Sequence, residues 1–396
     1  MQLENFDIDS FLRYYWQKKP CLIKNPWTAW QNPLAPDELA GLACEAEVES
    51  RLIVHENNGI YVENGPIEEA RFSLLGQKSW TLLVQAVDHH VPDVAALIRP
   101  FRFIPDWRID DIMVSIAADG GGVGAHYDQY DVFLIQGLGR RKWQVGQACD
   151  EKTPLLPHEH LRLLADFHVT DEWVLDAGDI LYVPPGVAHN GVAIGDNCMT
   201  YSIGFRAPST GELIGNWSDD ILGQLTDDER YCDPQLLRQE NAGEITPVAI
   251  QALHHLVQQK LNDSAAFATW LGEYLSAAKY ADMDWRPEHP MNLDEIKAYI
   301  EQGEKICRNA ASRFLFIHAA DNAENVTLFV NGHAYQCSGE TAHFAKHICA
   351  NDNFILDHVY AKNDAIMAIC HDLFSSGHLA FFDDIYGDEY LDDGDE

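Results

Sequence analysis

Gly120-Gly-Gly-Val-Gly-Ala-His126-Tyr-Asp128-Gln-Tyr130-Asp-Val-Phe-Leu-Ile-Gln-Gly137-Leu-Gly139-Arg-Arg141-Lys-Trp-Gln-Val145 is the stretch whose reading decides the fold. A glycine-rich approach leads into the alternation Tyr130, Val132, Leu134, and Gly137-Leu-Gly139 then reads as a tight turn between two strands. Side chains two apart on a strand share a face, so His126 and Asp128 can meet one metal ion from a single segment. One imidazole and one carboxylate need a third partner.

That partner is expected where another strand pair ends. Asp171-Glu-Trp-Val-Leu-Asp-Ala-Gly178-Asp-Ile-Leu-Tyr-Val-Pro-Pro-Gly186-Val-Ala-His189 reads as strand, turn, strand and a Pro-Pro-Gly corner that delivers His189 at the start of a further loop. Two histidines and a carboxylate form the facial triad of non-haem Fe(II) oxygenases, which leaves coordination positions open for co-substrate and dioxygen. Such a site needs an electron source. 2-Oxoglutarate supplies one if a cation holds its far carboxylate, and Arg141 offers a planar, permanently charged partner. Arg140, Arg141 and Lys142 alternate in direction, so Arg141 lies on the face opposite its two neighbours.

These segments resemble the JmjC branch of the cupin-fold 2-oxoglutarate oxygenases, and in particular the bacterial ribosomal oxygenases of the YcfD/RoxA type. Phe11-Leu-Arg-Tyr-Tyr-Trp-Gln-Lys-Lys-Pro20, Phe103-Ile-Pro-Asp-Trp107-Arg-Ile-Asp-Asp-Ile-Met-Val-Ser115 and Tyr201-Ser-Ile-Gly-Phe-Arg-Ala-Pro208 are similar to that group's characteristic stretches, so the likeness covers most of residues 1–208. It implies a mainly β catalytic domain, a double-stranded β-helix or cupin/JmjC jelly roll. It also implies Arg141 as the co-substrate anchor, fifteen positions after the first histidine ligand; Lys in many eukaryotic relatives makes Arg the bacterial form. The implied reaction is hydroxylation of the β-carbon of an arginine in the sixteenth protein of the large ribosomal subunit.

The segment Asp111-Ile-Met113-Val-Ser115 sets Asp111, Met113 and Ser115 on one strand face, with Ile112 and Val114 on the other. A carboxylate at a barrel mouth suits a guanidinium or ammonium group. The resemblance implies that Ser115 helps bind 2-oxoglutarate and that Asp111, Met113, Tyr130 and Ser202 grip the substrate side chain. Ordinary strand packing is the competing reading for each.

A chain of 396 residues exceeds one ordinary domain, and 46% hydrophobic residues suffice for a large core. With 27 basic against 62 acidic residues the net charge is −35, which repels phosphate backbones and anionic membranes and attracts basic partners. Direct nucleic-acid binding is therefore not expected. Nine scattered cysteines without a C-x-x-C pair, no secretory signal and no apolar run of membrane length point to a soluble, reducing, cytoplasmic setting.

Early in the chain, helices are expected over Asp9–Trp16, Pro36–Glu49 and Val94–Ile98, strands at Cys21–Ile23 and Trp80–Val84, and hairpin strands through 51–74. His89-His90 reads as a loop pair. After Pro208, Thr210–Thr226, Thr246–Asn262 and Ser264–Lys279 read as amphipathic helices with Ile221, Leu222, Leu253, Leu256, Trp270 and Leu275 as apolar stripes. The resemblance implies that residues 209–282 dimerise the protein. Trp285-Arg-Pro-Glu-His-Pro marks a linker. Residues 283–382 read as a small α+β module of winged-helix type: a helix over Leu293–Arg308, strands Phe314–Ala319, Thr327–Val330 and His333–Cys337 around an Asn331-Gly332 turn, and helices at Thr341–Ala350 and Ala365–Phe374. Its acidity favours an interaction role over DNA binding. His343 and His347 stand one helical turn apart without an acidic partner, the pattern of surface or core histidines. The segment from Asp383 to Glu396, with eight acidic and no basic residues, reads as a solvated tail.

Two other readings use the same residues. An N-methyl-lysine or N-methyl-arginine demethylase shares the iron site, and a metal-binding cupin of another class needs no 2-oxoglutarate anchor.

Overall fold

The computed structural model describes residues 2–56, 59–76, 79–226, 229–320 and 322–382. The chain forms two compact units. The first runs to Ala207 and takes in Asp282–Asp284 and Asn309–Ala311; the second begins at Pro208.

In the first unit, β1 (Cys21–Ile23), β2 (Ser50–Glu56), β3 (Gly59–Asn64), β4 (Ser79–Val84), β5 (Ile109–Ala117), β6 (Asp131–Ala148), β7 (Val169–Leu175), β8 (Ile180–Val183) and β9 (Val187–Phe205) form one antiparallel sheet. The order is β1-β8-β6-β9-β5-β4-β2-β3, with β7 along the second half of β6. This is the expected jelly roll. Alternation explains why its strands are apolar on both faces. Ile112, Val114 and Ile116 of β5, Phe133 and Ile135 of β6, Tyr182 of β8 and Tyr201, Ile203 and Phe205 of β9 point one way, into a cluster completed by Phe11 of α1 (Ile8–Tyr14) and Leu39 of α2 (Pro36–Leu42). The intervening Val132, Leu134, Trp143, Val145, Leu181 and Val183 pack on the inner side, and Met113 joins Ile53 and Leu83 in a separate inner cluster.

Phe133 is the hub of the outer cluster, its ring 4.8–5.6 Å from those of Phe101, Tyr182, Phe11 and Phe205. Truncating such a ring to alanine costs about 3–5 kcal/mol, a large share of a domain's net stability. Asp131, two residues earlier on β6, is fully buried, and its carboxylate is partnered by Arg108, Gln17 and Tyr182 at 3.0, 3.0 and 2.6 Å.

The hairpin expected at Gly137-Leu-Gly139 is instead a bend within β6. Both halves of the strand keep β9 as partner, with register shifts between Gln136 and Leu138 and between Leu138 and Arg140. Gly139 takes φ +64°, the left-handed backbone that a bulge requires, and Trp30 Nε1–H donates to Gly137 O at 2.9 Å. A glycine pair marks local conformation, and whether the chain reverses is decided by its partners. Elsewhere the helix expected over Pro36–Glu49 stops at Leu42, and residues 69–73, expected in a strand, form α3 (Glu69–Ser73). The helix expected at Val94–Ile98 is α4 (Pro92–Ala95) continued as a tighter 3-10 helix through Pro100.

In the second unit, α5 (Thr210–Gln224), α6 (Pro247–Leu261) and α7 (Ser264–Ser276) are the three expected helices. Trp217 of α5 packs on Phe267 and Trp270 of α7 with rings 5.6 and 5.3 Å apart. α6 buries no residue, and its Val248, Ile250, Leu253, Val257 and Leu261 are exposed. α8 (Leu293–Gln302) ends on Gly303 at φ +79°, and β10 (Lys305–Arg308) occupies what the sequence reading gave to the helix. β11 (Phe314–His318), β12 (Val326–Val330) and β13 (His333–Cys337) form one small sheet, with left-handed Asn331 and Gly332 in the tight turn. β10 pairs with β14 (Asn353–Ile355) and β15 (Leu379–Phe381) in another. α9 (Glu340–Ala350) and α10 (Asp364–Ser375) close the core through Phe344, Ile348, Met367 and Leu373. These elements make the winged-helix domain. The tail from Asp383 lies outside the described residues. No helix among them is long and apolar enough to cross a membrane.

Candidate metal centre and co-substrate pocket

His126, Asp128 and His189 come together as expected, each offering one ligand atom, all within 4.8 Å of one another. The route differs from the sequence reading. His126 and Asp128 lie in the segment before β6 rather than on a strand, and His189 sits on β9 rather than in a loop. An isolated bridge joins them: His126 N–H donates to His189 O at 3.0 Å, and His189 N–H to His126 O at 2.8 Å. The glycine run makes this approach possible, because a Cβ at Gly121 would strike Trp80 O and one at Gly122 would strike Gly191 O. The Pro-Pro-Gly corner holds the other side, with Gly186 N–H donating to Asp128 O at 2.7 Å.

Nδ1 of His126 lies 2.8 Å from Gly124 O, and Nδ1 of His189 lies 3.0 Å from Val187 O. Each carbonyl can only accept, so Nδ1–H is the donor in both rings and Nε2 is the nitrogen left for a metal. Nε2 of His189 is 3.5 Å from the Asp128 carboxylate, and the two imidazole rings are 4.3 Å apart. Burial, then the neighbouring His126, push the His189 pKa down to about 4 against the pull of Asp128. The ring is therefore neutral at physiological pH, as a metal ligand must be.

Arg141 is 3% exposed and faces inward, while Arg140 and Lys142 stay outside. Its guanidinium carbon sits 5.8 Å from the Trp143 ring centre, and its Nε and Nη2 have no hydrogen-bond partner among the described residues. A buried cation with orphaned donors fits a bound carboxylate, so the donor set suits both the metal and a dicarboxylic co-substrate. Ser115 is buried on the barrel wall opposite Thr200, whose hydroxyl donates to Gln136 at 3.2 Å.

Of the residues expected to grip the substrate, Asp111, Met113 and Ser202 lie on β5 and β9 and Tyr130 just before β6. The Asp111 carboxylate is buried and accepts from Gln85 Nε2 at 2.8 Å and from Ala86 N–H at 2.9 Å. Tyr130 keeps 43% of its surface exposed, yet desolvation, then Asp128, Asp111 and Asp110, raise its phenol pKa, so it stays protonated. Met113 packs on the cluster of Ile53, Leu83, Leu161 and Leu163 and pairs across the strands with Ser202, which is buried. Sequence reasoning missed Trp143, whose indole is 6.0 Å from the His189 ring. Its position two residues after Arg141 was the available signal. No second group of metal-ligating side chains occurs among the described residues; His347 packs on Phe354 instead.

Residues 96–213 match the JmjC domain family and residues 259–380 the ROXA-like winged helix. The chain is 42% identical over 308 residues to the Escherichia coli ribosomal protein uL16 3-hydroxylase, covering 78% of this chain and 82% of that protein. It belongs to the JmjC ribosomal oxygenases. The crystal structure of E. coli YcfD superposes with a TM-score of 0.88 at 36% identity, covering 96% of this chain and 100% of that one. A structure of YcfD with cobalt and 2-oxoglutarate gives 0.85 at the same identity and covers 96% and 99%. This ribosomal oxygenase is accordingly a 2-oxoglutarate- and Fe(II)-dependent hydroxylase with dioxygen as second co-substrate.

Proposed function

We propose that this ribosomal oxygenase hydroxylates the β-carbon of an arginine in the large-subunit ribosomal protein uL16, as a cytoplasmic homodimer that makes no direct contact with nucleic acid. The observation that carries the site reading is the buried Arg141 guanidinium with orphaned donors, on the inner barrel face beside the His126, Asp128 and His189 cluster. The name of the E. coli relative supports the protein and the carbon position.

His126, Asp128 and His189 hold the iron, and Arg141 with Ser115 holds 2-oxoglutarate. When bound, iron, 2-oxoglutarate and dioxygen supply the oxidising chemistry: the co-substrate ends as succinate and carbon dioxide, and one oxygen atom enters the substrate C–H. The chain's own side chains do the rest. Arg141 fixes the far end of the co-substrate from a dry position, where the charge pair is strong. Asp111, held by Gln85 and Ala86, presents a carboxylate to the incoming guanidinium, while Tyr130, Met113 and Ser202 shape the channel. Tyr130 stays protonated and so offers its O–H as a donor. The chain's charge of −35 favours encounter with a basic ribosomal protein. The exposed apolar side chains of α6 support dimerisation.

Intact-mass analysis of ribosomal proteins from cells with and without this chain tests the reading. One basic protein is expected to gain the mass of one oxygen atom, with fragment spectra placing it on an arginine β-carbon. An unchanged uL16 overturns the substrate assignment, and formaldehyde release from a methylated peptide would favour demethylation instead.

A further inference from the structure

Trp143 is the inner-face residue that follows Arg141 on β6, and it lies between the two ends of the pocket. Its ring centre is 5.8 Å from the Arg141 guanidinium carbon and 6.0 Å from the His189 ring. Gly191, its cross-strand partner, lets the indole lie flat against the β9 backbone, because a Cβ there would strike the six-membered ring at 2.7 Å. Trp143 is 5% exposed, and its Nε1–H has no hydrogen-bond partner among the described residues. Buried indole N–H groups nearly always find an acceptor, since an unmade bond in a dry interior is costly. The buried residues that share its inner cluster, Val132, Leu134, Val145, Leu175, Leu181 and Val183, have no side-chain acceptor to offer.

A carboxylate offers two oxygens and about four lone-pair sites. Arg141 has two orphaned donor atoms, Nε and Nη2. The guanidinium therefore leaves acceptor capacity on the far carboxylate of 2-oxoglutarate, in a site whose two donors, Arg141 and Trp143, are 3% and 5% exposed. The near end of the co-substrate is satisfied by the metal. We propose that the Trp143 indole N–H donates to the far carboxylate alongside Arg141, so that Trp143 is a co-substrate contact that sets selectivity for a dicarboxylic acid. This rests on the assignment of Arg141 as the anchor.

The test uses the full chain loaded with Mn(II) under argon and calorimetric titration with 2-oxoglutarate and with 2-oxobutyrate, which has the same oxoacid head and no far carboxylate. Trp143→Phe keeps the ring and its packing and removes the donor. The expected result is a loss of 2-oxoglutarate affinity of about ten- to a hundredfold, the strength of a hydrogen bond to a charged group, with 2-oxobutyrate affinity and Mn(II) affinity unchanged. An equal loss for both acids, or no loss for either, overturns the proposal. Arg141→Met separates the two readings: if that variant binds 2-oxoglutarate within about threefold of the unsubstituted protein, the anchor assignment fails whatever Trp143→Phe shows. A second measurement needs no variant. With Zn(II) in the unsubstituted protein, one of the ten indole N–H resonances is expected to shift downfield on adding 2-oxoglutarate and not on adding 2-oxobutyrate. Ten unmoved resonances would equally overturn it.

Discussion

Arg141→Met should make the ligand-free protein more stable and the loaded enzyme useless. The guanidinium is 3% exposed with Nε and Nη2 unpartnered among the described residues, so the protein's own groups do not hydrogen-bond these two donors. An unmade hydrogen bond of this kind costs about 1–3 kcal/mol, partly offset by about 0.5–2 kcal/mol from the cation lying against Trp143. Methionine fills much of the same volume without a charge, and the expected net gain is about 1 kcal/mol, read as a higher unfolding midpoint in urea. The co-substrate loses two charge-assisted hydrogen bonds at about 1.5–3 kcal/mol each, which amounts to two to three orders of magnitude or more in dissociation constant. Calorimetry with Mn(II) under argon reads the second quantity. Binding of 2-oxoglutarate within about threefold of the unsubstituted protein would refute the anchor role. A ligand-free variant that is clearly less stable would refute the claim that the cation is strained when alone.

Three further outcomes follow from the same geometry. His189 has a folded pKa near 4, below its ordinary value of 6.5, so the unfolded chain takes up the proton first; stability of the metal-free protein is complete above pH 6.5 and falls as pH drops towards 4, which thermal unfolding across that window measures. Asp111→Asn keeps acceptors for Gln85 and Ala86 but removes the charge, and it should lower kcat/KM on a basic peptide by at least about tenfold while leaving the 2-oxoglutarate dissociation constant unchanged. Leu253→Asp with Val257→Asp places two charges on the exposed face of α6, and light scattering after size-exclusion chromatography should report a monomer that still binds metal.

Side-chain alternation was the legible part of this sequence. It set Arg141 on the face opposite its two neighbours, the face the structure buries, and it separated Asp111, Met113 and Ser115 from Ile112 and Val114, because a pleated strand fixes direction residue by residue. His126, Asp128 and His189 were legible as residue types in a spacing, and the structure brings all three together in a group that could hold a metal ion. Their backbone setting was not. His126 and His189 belong to one bridge made by residues 63 apart in sequence, and no local signal announces a pairing over that distance. Gly137-Leu-Gly139 misled for a related reason: the dihedral freedom of glycine is local, whereas continuation through a bulge depends on β9 staying beside both halves. The end of α8 at Gly303 was readable from the glycine itself, and the apolar residues after it carried the helix reading too far.

The bulge in β6 sets which chemistry the barrel contains. Downstream of it the strand runs Arg140, Arg141, Lys142, Trp143, Gln144, Val145, Gly146, and the inner members are Arg141, Trp143 and Val145. A chain one residue shorter between Gln136 and Arg140 that kept its pairing with β9 would seat Lys142 where Arg141 stands, Gln144 in place of Trp143 and Gly146 in place of Val145. Charge would survive on the inner face, while the aromatic ring beside His189 would be gone. Insertions and deletions at this kink are thus a single step by which a relative could exchange the inward-facing residues of this strand without touching His126, Asp128 or His189.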